Sequence, residues 1–333
     1  MSAPLLKEKG QMNMMTKQHR KWIKPVSVAL LIIILFIVAG INIPRFLSLA
    51  NILNVMRQNT TIALLSLGMT MVIVAKGIDL SVGGLLAFCA MLNGIMMNSG
   101  FPLVMTISVS IIAGAALGLF NGVMVEKLEV PAFITTMVIG QVAIGLSLMI
   151  SEGQSLGGFS PAYVFIGNGM LFGIPVSNYI AIAFLAISVV ILTRTPLGTH
   201  IYALGGNSTV VKQQGISTAK INYFVFTFSG ICAAIAGIVL SAQMNTIHPT
   251  QGSTLQLDAV AACVIGGVNL AGGEGKVYMA FLGALLIGFL RNALNLLGMH
   301  PYYQNLIVGI IIIAIVAISM LNRNKKIAES QVF

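Results

Sequence analysis

The ionisable side chains that could do chemistry are few and stand apart from one another. Asp79 and Asp258 each stand near the start of an apolar run, and Arg291 lies within another. A charge inside an apolar segment is costly and usually faces the protein interior, so Arg291 could pair with a carboxylate such as Asp258 or could snorkel. The sequence holds no Ser/His/Asp set, no paired carboxylates and no cluster with metal-ligand spacing. We therefore predict no catalytic residue, no metal site and no cofactor bound by this chain.

The other polar groups within the apolar runs are mostly neutral amides. An amide both donates and accepts hydrogen bonds, which suits a neutral, polyhydroxylated solute. Each amide could equally hold two helices together. The predicted candidates for a solute path, including the two aspartates, are Asn59, Asp79, Asn93, Asn121, Gln141, Asn245, Asp258, Asn292 and Asn295.

Glycines interrupt the chain beside both aspartates. In the first place a glycine breaks a helix, Asp79 is predicted to cap the next one, and a glycine pair then allows close packing or bending. In the second place an apolar run from Leu257 is too short to span a bilayer, and such a broken segment usually lines a cavity. The predicted gate or break residues are Gly77, Gly83, Gly84, Gly266 and Gly267.

A third polar segment lies in the connection 194–220. Asn207 is a predicted N-cap and Gly215 a predicted stop, enclosing a helix of roughly two turns with Val210 and Val211 exposed. A helix this short is marginal alone, so it packs on its own membrane domain or docks on a soluble partner. The predicted docking residues are Gly205, Gly206, Asn207, Val210, Val211, Gln214, Gly215 and Ile216.

Composition shows what kind of elements must position these residues. Charged residues are 8% of the chain and hydrophobic residues are 57%, whereas a soluble domain is typically about 25% charged. The 35 glycines suit closely packed membrane helices. The net charge of +10 is spread between apolar runs, which argues against nucleic acid. The chain is therefore predicted to be an all-α polytopic membrane protein embedded in a lipid bilayer.

About ten transmembrane helices are predicted, or eight if the two shortest segments are re-entrant. Basic residues between the runs place both termini in the cytoplasm. Within the connection 44–59, the stretch 46–53 is predicted to be an amphipathic interfacial helix. We predict a cytoplasmic basic N-terminus at 1–25, a transmembrane domain at 26–321 and a cytoplasmic C-terminus at 322–333. The predicted spans lie near 26–43, 60–76, 80–98, 102–125, 131–151, 176–193, 221–243, 257–269, 276–298 and 301–320.

The two halves of the chain are similar in a few residues. Gly114 and Gly118 match Gly283 and Gly288, and Asp79 matches Asp258 at an offset of about five spans. An odd offset would make the halves an inverted repeat, as in many transporters. Chance similarity in a chain rich in glycine, alanine and leucine is the alternative.

Three motifs together resemble a known family. They are Gly77-Ile78-Asp79-Leu80-Ser81-Val82-Gly83, Tyr202-Ala203-Leu204-Gly205-Gly206-Asn207, and the run from Leu257 to Gly267. They are similar to motifs of the permeases of bacterial ribose/xylose/galactose-type ABC importers. The resemblance covers residues 26–321 and does not specify the sugar.

The resemblance implies the partners. It implies a bacterial inner-membrane permease, paired with a second permease subunit as a homodimer or heterodimer. ATP and Mg²⁺ would bind on separate ABC ATPase subunits, which the Asn207–Ile216 segment would contact as a coupling helix. A periplasmic binding protein would deliver a small sugar. The alternatives are an ABC permease for branched-chain amino acids or another small polar solute, and an ion-coupled secondary transporter.

Overall fold

The computed structural model describes residues 34, 36–300, 302–310 and 313. Residues 36–42 and 302–310 are helical. The bounded helices are α1 Leu49–Val74, α2 Val82–Asn98, α3 Leu103–Lys127, α4 Ala132–Ser151, α5 Pro161–Asn168, α6 Val176–Arg194, α7 Pro196–Gly206, α8 Ser208–Gln213, α9 Thr218–Met244, α10 Leu255–Ile265 and α11 Val277–Leu296. The strands are β1 Leu156–Gly157, β2 Met170–Leu171, β3 Ile174–Pro175 and β4 Thr246–Ile247. Antiparallel pairing joins β1 to β4 and β2 to β3.

The prediction of an all-α polytopic membrane protein is confirmed. Within the described residues, α3, α4, α6, α9 and α11 are long and apolar enough to cross a bilayer. The shorter apolar helices are α2 and α10. About half of each of the predicted first and last spans, 26–43 and 301–320, lies outside the described residues.

Helix α1 forms the centre of the fold. Every residue from Asn59 to Val74 is buried, as expected for a helix without a solvated face. The predicted interfacial helix within 44–59 is wrong as a separate element, because α1 runs unbroken from Leu49. The Ser48 hydroxyl accepts a hydrogen bond from the Asn51 N–H and so starts the helix there.

Glycines let the surrounding helices approach one another closely. A Cβ atom on Gly230 of α9 would stand 2.1 Å from the Gly114 carbonyl oxygen of α3. A Cβ atom on Gly118 would stand 2.3 Å from the Phe226 carbonyl oxygen. The contact between α3 and α9 is therefore backbone on backbone, the packing that small residues permit in membranes. The inverted repeat stays a prediction.

Candidate coupling junction and solute path

Segments within or next to the three sequence motifs meet at one junction on the predicted cytoplasmic side. The Gly273 N–H donates to the Val74 carbonyl oxygen over 2.9 Å. Gly205 lies against both groups: a Cβ atom there would stand 1.8 Å from the Val74 oxygen and 2.4 Å from the Gly273 nitrogen. The Tyr202 hydroxyl donates to the Gly275 carbonyl oxygen over 2.6 Å, and burial raises the pKa of this phenol, which keeps it a neutral donor. The end of α1, the end of α7 and the loop after α10 are thus held together.

Helices α1 and α10 both end at this junction with the same capping geometry. Gly77 N donates to Val72 O after α1, and Val268 N donates to Cys263 O after α10. The left-handed position of this Schellman motif is Gly267 in α10, with φ +76°. In α1 it is Lys76, with φ +73°, which is strained because the residue carries a Cβ. The helix breaks predicted at Gly77 and Gly266–Gly267 therefore exist and have a defined geometry.

The short predicted helix between Asn207 and Gly215 is present as the six-residue α8. The Asn207 side chain accepts from Val210 N, and Gly215 adopts φ +73°. Val210 is 48% exposed as predicted, but the prediction that Val211 is exposed is wrong, because Val211 is 3% exposed and packs into the main core. Because an α-helix has about 3.6 residues per turn, the side chains of two neighbouring residues point in different directions.

The other predicted docking residues divide between the junction and the surface. Gly206 and Gln214 are exposed, and Ile216 is half-buried against the main core. Nothing lies within 4 Å of a Cβ atom built on Gly206. Helix α7 was not predicted from the sequence. It begins with Pro196, and the Thr195 hydroxyl caps its first turn. A proline after a threonine is the local signal that marks such a start.

Asp79 is fully buried and does not cap α2. Its Oδ1 accepts from the Ser81 N–H over 2.9 Å, and α2 begins only at Val82. The predicted helix start is therefore wrong, because the carboxylate closes a local turn that precedes α2. Thr136 of α4 accepts from Leu80 N, and Asn121 of α3 donates to the Ser81 hydroxyl. This polar cluster joins α2, α3 and α4.

The glycine pair at the start of α2 serves close packing. A Cβ atom on Gly84 would stand 2.1 Å from the Gly140 carbonyl oxygen of α4. A Cβ atom on Gly83 would stand 2.4 Å from the Gly252 carbonyl oxygen and 2.8 Å from Oε1 of Gln256. The beginnings of α2 and α10 are thus brought together beside the middle of α4.

Most of the predicted path amides hold elements together. Asn59 donates to the Ala284 carbonyl oxygen, and Asn245 accepts from Phe159 N. Asn292 exchanges two hydrogen bonds with Asn51. Asn295 accepts from Gln304 Nε2. Asn93 is fully buried, and both polar atoms of its side chain lack a partner.

Asn295 is exposed near the end of α11, whereas Gln141 is exposed in the middle of a membrane-spanning helix. It lies halfway along α4, next to Gly140. Ser253 and Thr254 are exposed and Gln256 is half-exposed at the start of α10, on the segment that Gly83 contacts. We call the set Gln141, Ser253, Thr254 and Gln256 the polar face, because Gly84 contacts the neighbour of Gln141 and Gly83 contacts the segment that holds the other three. The last three were missed, although a short polar run before a glycine-broken apolar segment is a recognisable sequence signal.

The sequence left open whether Arg291 pairs or snorkels, and the structure shows that it pairs. Nη2 of Arg291 stands 2.8 Å from Oδ1 and 3.0 Å from Oδ2 of Asp258. Asp258 is in the first turn of α10, and its side chain is 7% exposed against 29% for Arg291. The pair neutralises Asp258, the carboxylate two residues after Gln256.

The groove of about 380 Å³ near the start of α1 lies elsewhere. Its lining includes Leu49, Leu53, Arg57 and Pro175. None of the predicted path residues contributes to it. Among the described residues, no group of three or more His, Cys, Asp or Glu side chains could hold a metal ion.

These elements define a polytopic α-helical membrane protein with a buried central helix and two glycine-broken segments that meet inside the bundle. The chain belongs to the permease family described as branched-chain amino acid transport system / permease component, whose model matches residues 51–316. It is accordingly a transport component of the membrane rather than an enzyme.

Curated relatives cover most of the chain. It is 41% identical over 304 residues to the ribose import permease protein of Haemophilus influenzae, covering 90% of this chain and 94% of the relative. It is 35% identical to the ribose import permease protein of Escherichia coli K12, covering 92% and 96%. It is 34% identical to the D-allose transport system permease protein of the same strain, covering 90% and 92%. No solved structure matches the chain.

Proposed function

We propose that this chain is the membrane-spanning subunit of an ATP-driven importer and that it translocates a small neutral sugar. The relatives named for ribose import and D-allose transport support the sugar class. The observation that carries the proposal is the polar face, whose Gln141 lies halfway along the spanning helix α4. A sugar crossing the bilayer needs hydrogen-bonding groups at that depth.

The polar face needs a wet or protein-covered surrounding. Gln141 is exposed in the middle of α4, and a side-chain amide left unpaired in hydrocarbon costs several kcal/mol. A second permease subunit facing α4 and α10 would enclose this surface and form the other wall of a path. Hydroxyl and amide groups both donate and accept, which matches sugar hydroxyls.

Charge around the polar face favours a sugar over an amino acid. The carboxylate and ammonium groups of an amino acid need charged partners or exposed helix ends. Near the polar face the ionisable groups of the described residues include Asp258 and Arg291, which bind each other, and Asp79, which is fully buried. We therefore place branched-chain amino acids second, although the family description names them.

The Gly205–Ile216 segment is the proposed contact with the cytoplasmic ATPase. Gly206, Val210 and Gln214 are exposed there, whereas Gly205 and Val211 are packed into the protein. Movement of α8 would therefore be transmitted to the ends of α1 and α10 through the junction at Gly205. ATP and Mg²⁺ would bind on the ATPase subunits. An ion-coupled secondary transporter would leave this exposed surface without a role.

The remaining assignments follow from the same proposal. The chain would lie in the bacterial inner membrane with both termini in the cytoplasm, and a periplasmic sugar-binding protein would dock on the other side. The residue groups 1–25, 26–321 and 322–333 would be the cytoplasmic tail, the permease domain and the C-terminal tail.

The experiment tests the polar face in vesicles that contain this chain, the co-purified ATPase and the binding protein. Gln141→Leu is expected to lower ATP-dependent uptake of ribose at least about tenfold, the effect of about 1.4 kcal/mol. Val138→Leu, one turn earlier on the same exposed surface of α4, is the matched control and should transport normally. Equal uptake by both variants would remove Gln141 from the path. Uptake without an ATPase under an ion gradient would refute ATP coupling.

A further inference from the structure

A strained hairpin lies between α5 and α6. Strands β2 and β3 pair Met170 with Pro175 and Leu171 with Ile174, which leaves a loop of Phe172 and Gly173. Their φ angles are +50° and +78°. Positive φ at both positions is the type I′ turn, which normally takes Asn, Asp or Gly first. A bulky residue such as Phe172 is sterically disfavoured there, so its presence needs another reason.

The hairpin presents apolar side chains to its surroundings. Phe172 is 93% exposed, Met170 55%, Leu171 47% and Ile174 37%. Contiguous exposed apolar side chains indicate a surface that something covers. Residues 153–193 contain no Asp, Glu, Lys, Arg or His. Such a neutral segment offers a soluble protein no charge for recognition, but it fits lipid.

The position of the hairpin also points to lipid. Helix α6, a membrane-spanning candidate, begins at Val176 directly after β3. The Tyr179 hydroxyl on its first turn donates to the Leu171 carbonyl oxygen over 3.0 Å. Further along the same side of α6, Ile182 and Val190 are exposed. The exposed apolar surface of the hairpin is therefore continuous with that of a spanning helix.

We propose that the β2–β3 hairpin is seated in the bilayer interface, with Phe172 inserted at the boundary between headgroups and acyl chains. Aromatic side chains are favoured at that depth, and tyrosine is enriched there with them. Burial of the phenyl ring in lipid offsets the strain of its backbone. The hairpin thereby fixes the height of α6 in the membrane, independently of which solute is carried.

The experiment measures the depth of residue 172 by tryptophan fluorescence. The sequence contains a single tryptophan, Trp22, so Trp22→Phe gives a tryptophan-free protein into which one tryptophan can be introduced. Phe172→Trp is compared with Ile182→Trp, deeper on α6, and with Gln154→Trp, exposed on the preceding loop. Each variant is reconstituted as the full chain in phosphatidylcholine vesicles. The quenchers are aqueous iodide and phospholipids brominated near the carbonyl or near the acyl terminus.

The three positions should be ordered by depth. Tryptophan at 172 should be quenched more by lipid brominated near the carbonyl, and tryptophan at 182 more by lipid brominated near the acyl terminus. Tryptophan at 154 should be quenched by iodide. Ready iodide quenching at 172 would overturn the proposal, and so would protection from both iodide and brominated lipid, because a protein partner would then cover the hairpin.

A second label covers the case in which tryptophan disturbs the turn. Phe172→Cys can be spin-labelled selectively, because Cys89, Cys232 and Cys263 are buried. A nitroxide in the interface collides with oxygen more than with a water-soluble nickel chelate. The opposite order would refute the proposal. Neither measurement involves transport, so failure here and failure of the proposed function can be told apart.

Discussion

Adding one methyl group should destabilise the protein at Gly205 of the junction but not at the neighbouring Gly206. The two glycines are adjacent at the end of α7. A Cβ atom at Gly205 would stand 1.8 Å from the Val74 carbonyl oxygen and 2.4 Å from the Gly273 nitrogen, whereas at Gly206 nothing lies within 4 Å. Gly205→Ala is therefore the perturbation and Gly206→Ala its matched control.

The size of the effect follows from what must move. Both obstructing atoms belong to the backbone, so no side-chain rotation relieves the overlap. Forcing an extra methyl group into a packed site costs about 1–3 kcal/mol. Separating Gly273 N from Val74 O leaves the buried Val74 carbonyl without this partner, which costs a further 1–3 kcal/mol or so. We expect Gly205→Ala to lower the free energy of unfolding by about 2–6 kcal/mol in total.

The control should be close to neutral. Alanine at Gly206 meets open space and improves helix propensity, so its effect should lie within about 1 kcal/mol and be stabilising if anything. Thermal unfolding of purified protein in detergent is the assay. The apparent Tm of Gly205→Ala should fall by at least roughly 4 °C, since about 2–4 °C accompanies each kcal/mol in chains of a few hundred residues.

A third variant tests whether the lost contact is the one named. Gly273→Ala acts on the same hydrogen bond and adds strain, because Gly273 has φ +72°. The double variant with Gly205→Ala should lose less stability than the two single losses together, because one hydrogen bond can be broken only once. Equal Tm values for Gly205→Ala and Gly206→Ala, or strict additivity in the double variant, would refute the reasoning.

Three further changes have definite expected outcomes. Lys76→Gly should raise the free energy of unfolding by about 1 kcal/mol in thermal or denaturant unfolding, because the position has φ +73°. Lys76→Ala should not raise it, and stabilisation by alanine would contradict the strain argument. A double-mutant cycle of Asp258→Asn and Arg291→Gln should give a coupling free energy of about 1–3 kcal/mol, with a value near zero showing that the pair adds nothing. Gly206→Trp should reduce ATP-dependent uptake without loss of membrane insertion, whereas Thr199→Trp on the same helix should not; normal uptake by Gly206→Trp would remove the docking role.

The elements that rest on local signals were predictable. The apolar content and the lengths of the apolar runs predict a bundle of membrane helices, because the bilayer imposes a length and a composition on each segment separately. Asn207 and Gly215 predict the limits of α8, because a cap is formed by a residue and its own neighbours. The predicted start of α2 failed for a related reason: Asp79 and Ser81 both suit a helix start, and only their hydrogen bond decides which turn the carboxylate closes.

The sequence by itself determined the membrane class, the glycine breaks and the short helix between Asn207 and Gly215. Only the tertiary structure decided that the ends of α1, α7 and α10 meet at Gly205, that Val211 is buried while Val210 is exposed, and that Asn59 holds α1 to α11 while Gln141 faces outward. Amide side chains have the same chemistry in all these places. Their roles depend on which distant backbone lies opposite, and contacts between segments far apart in the chain leave no local pattern in the sequence.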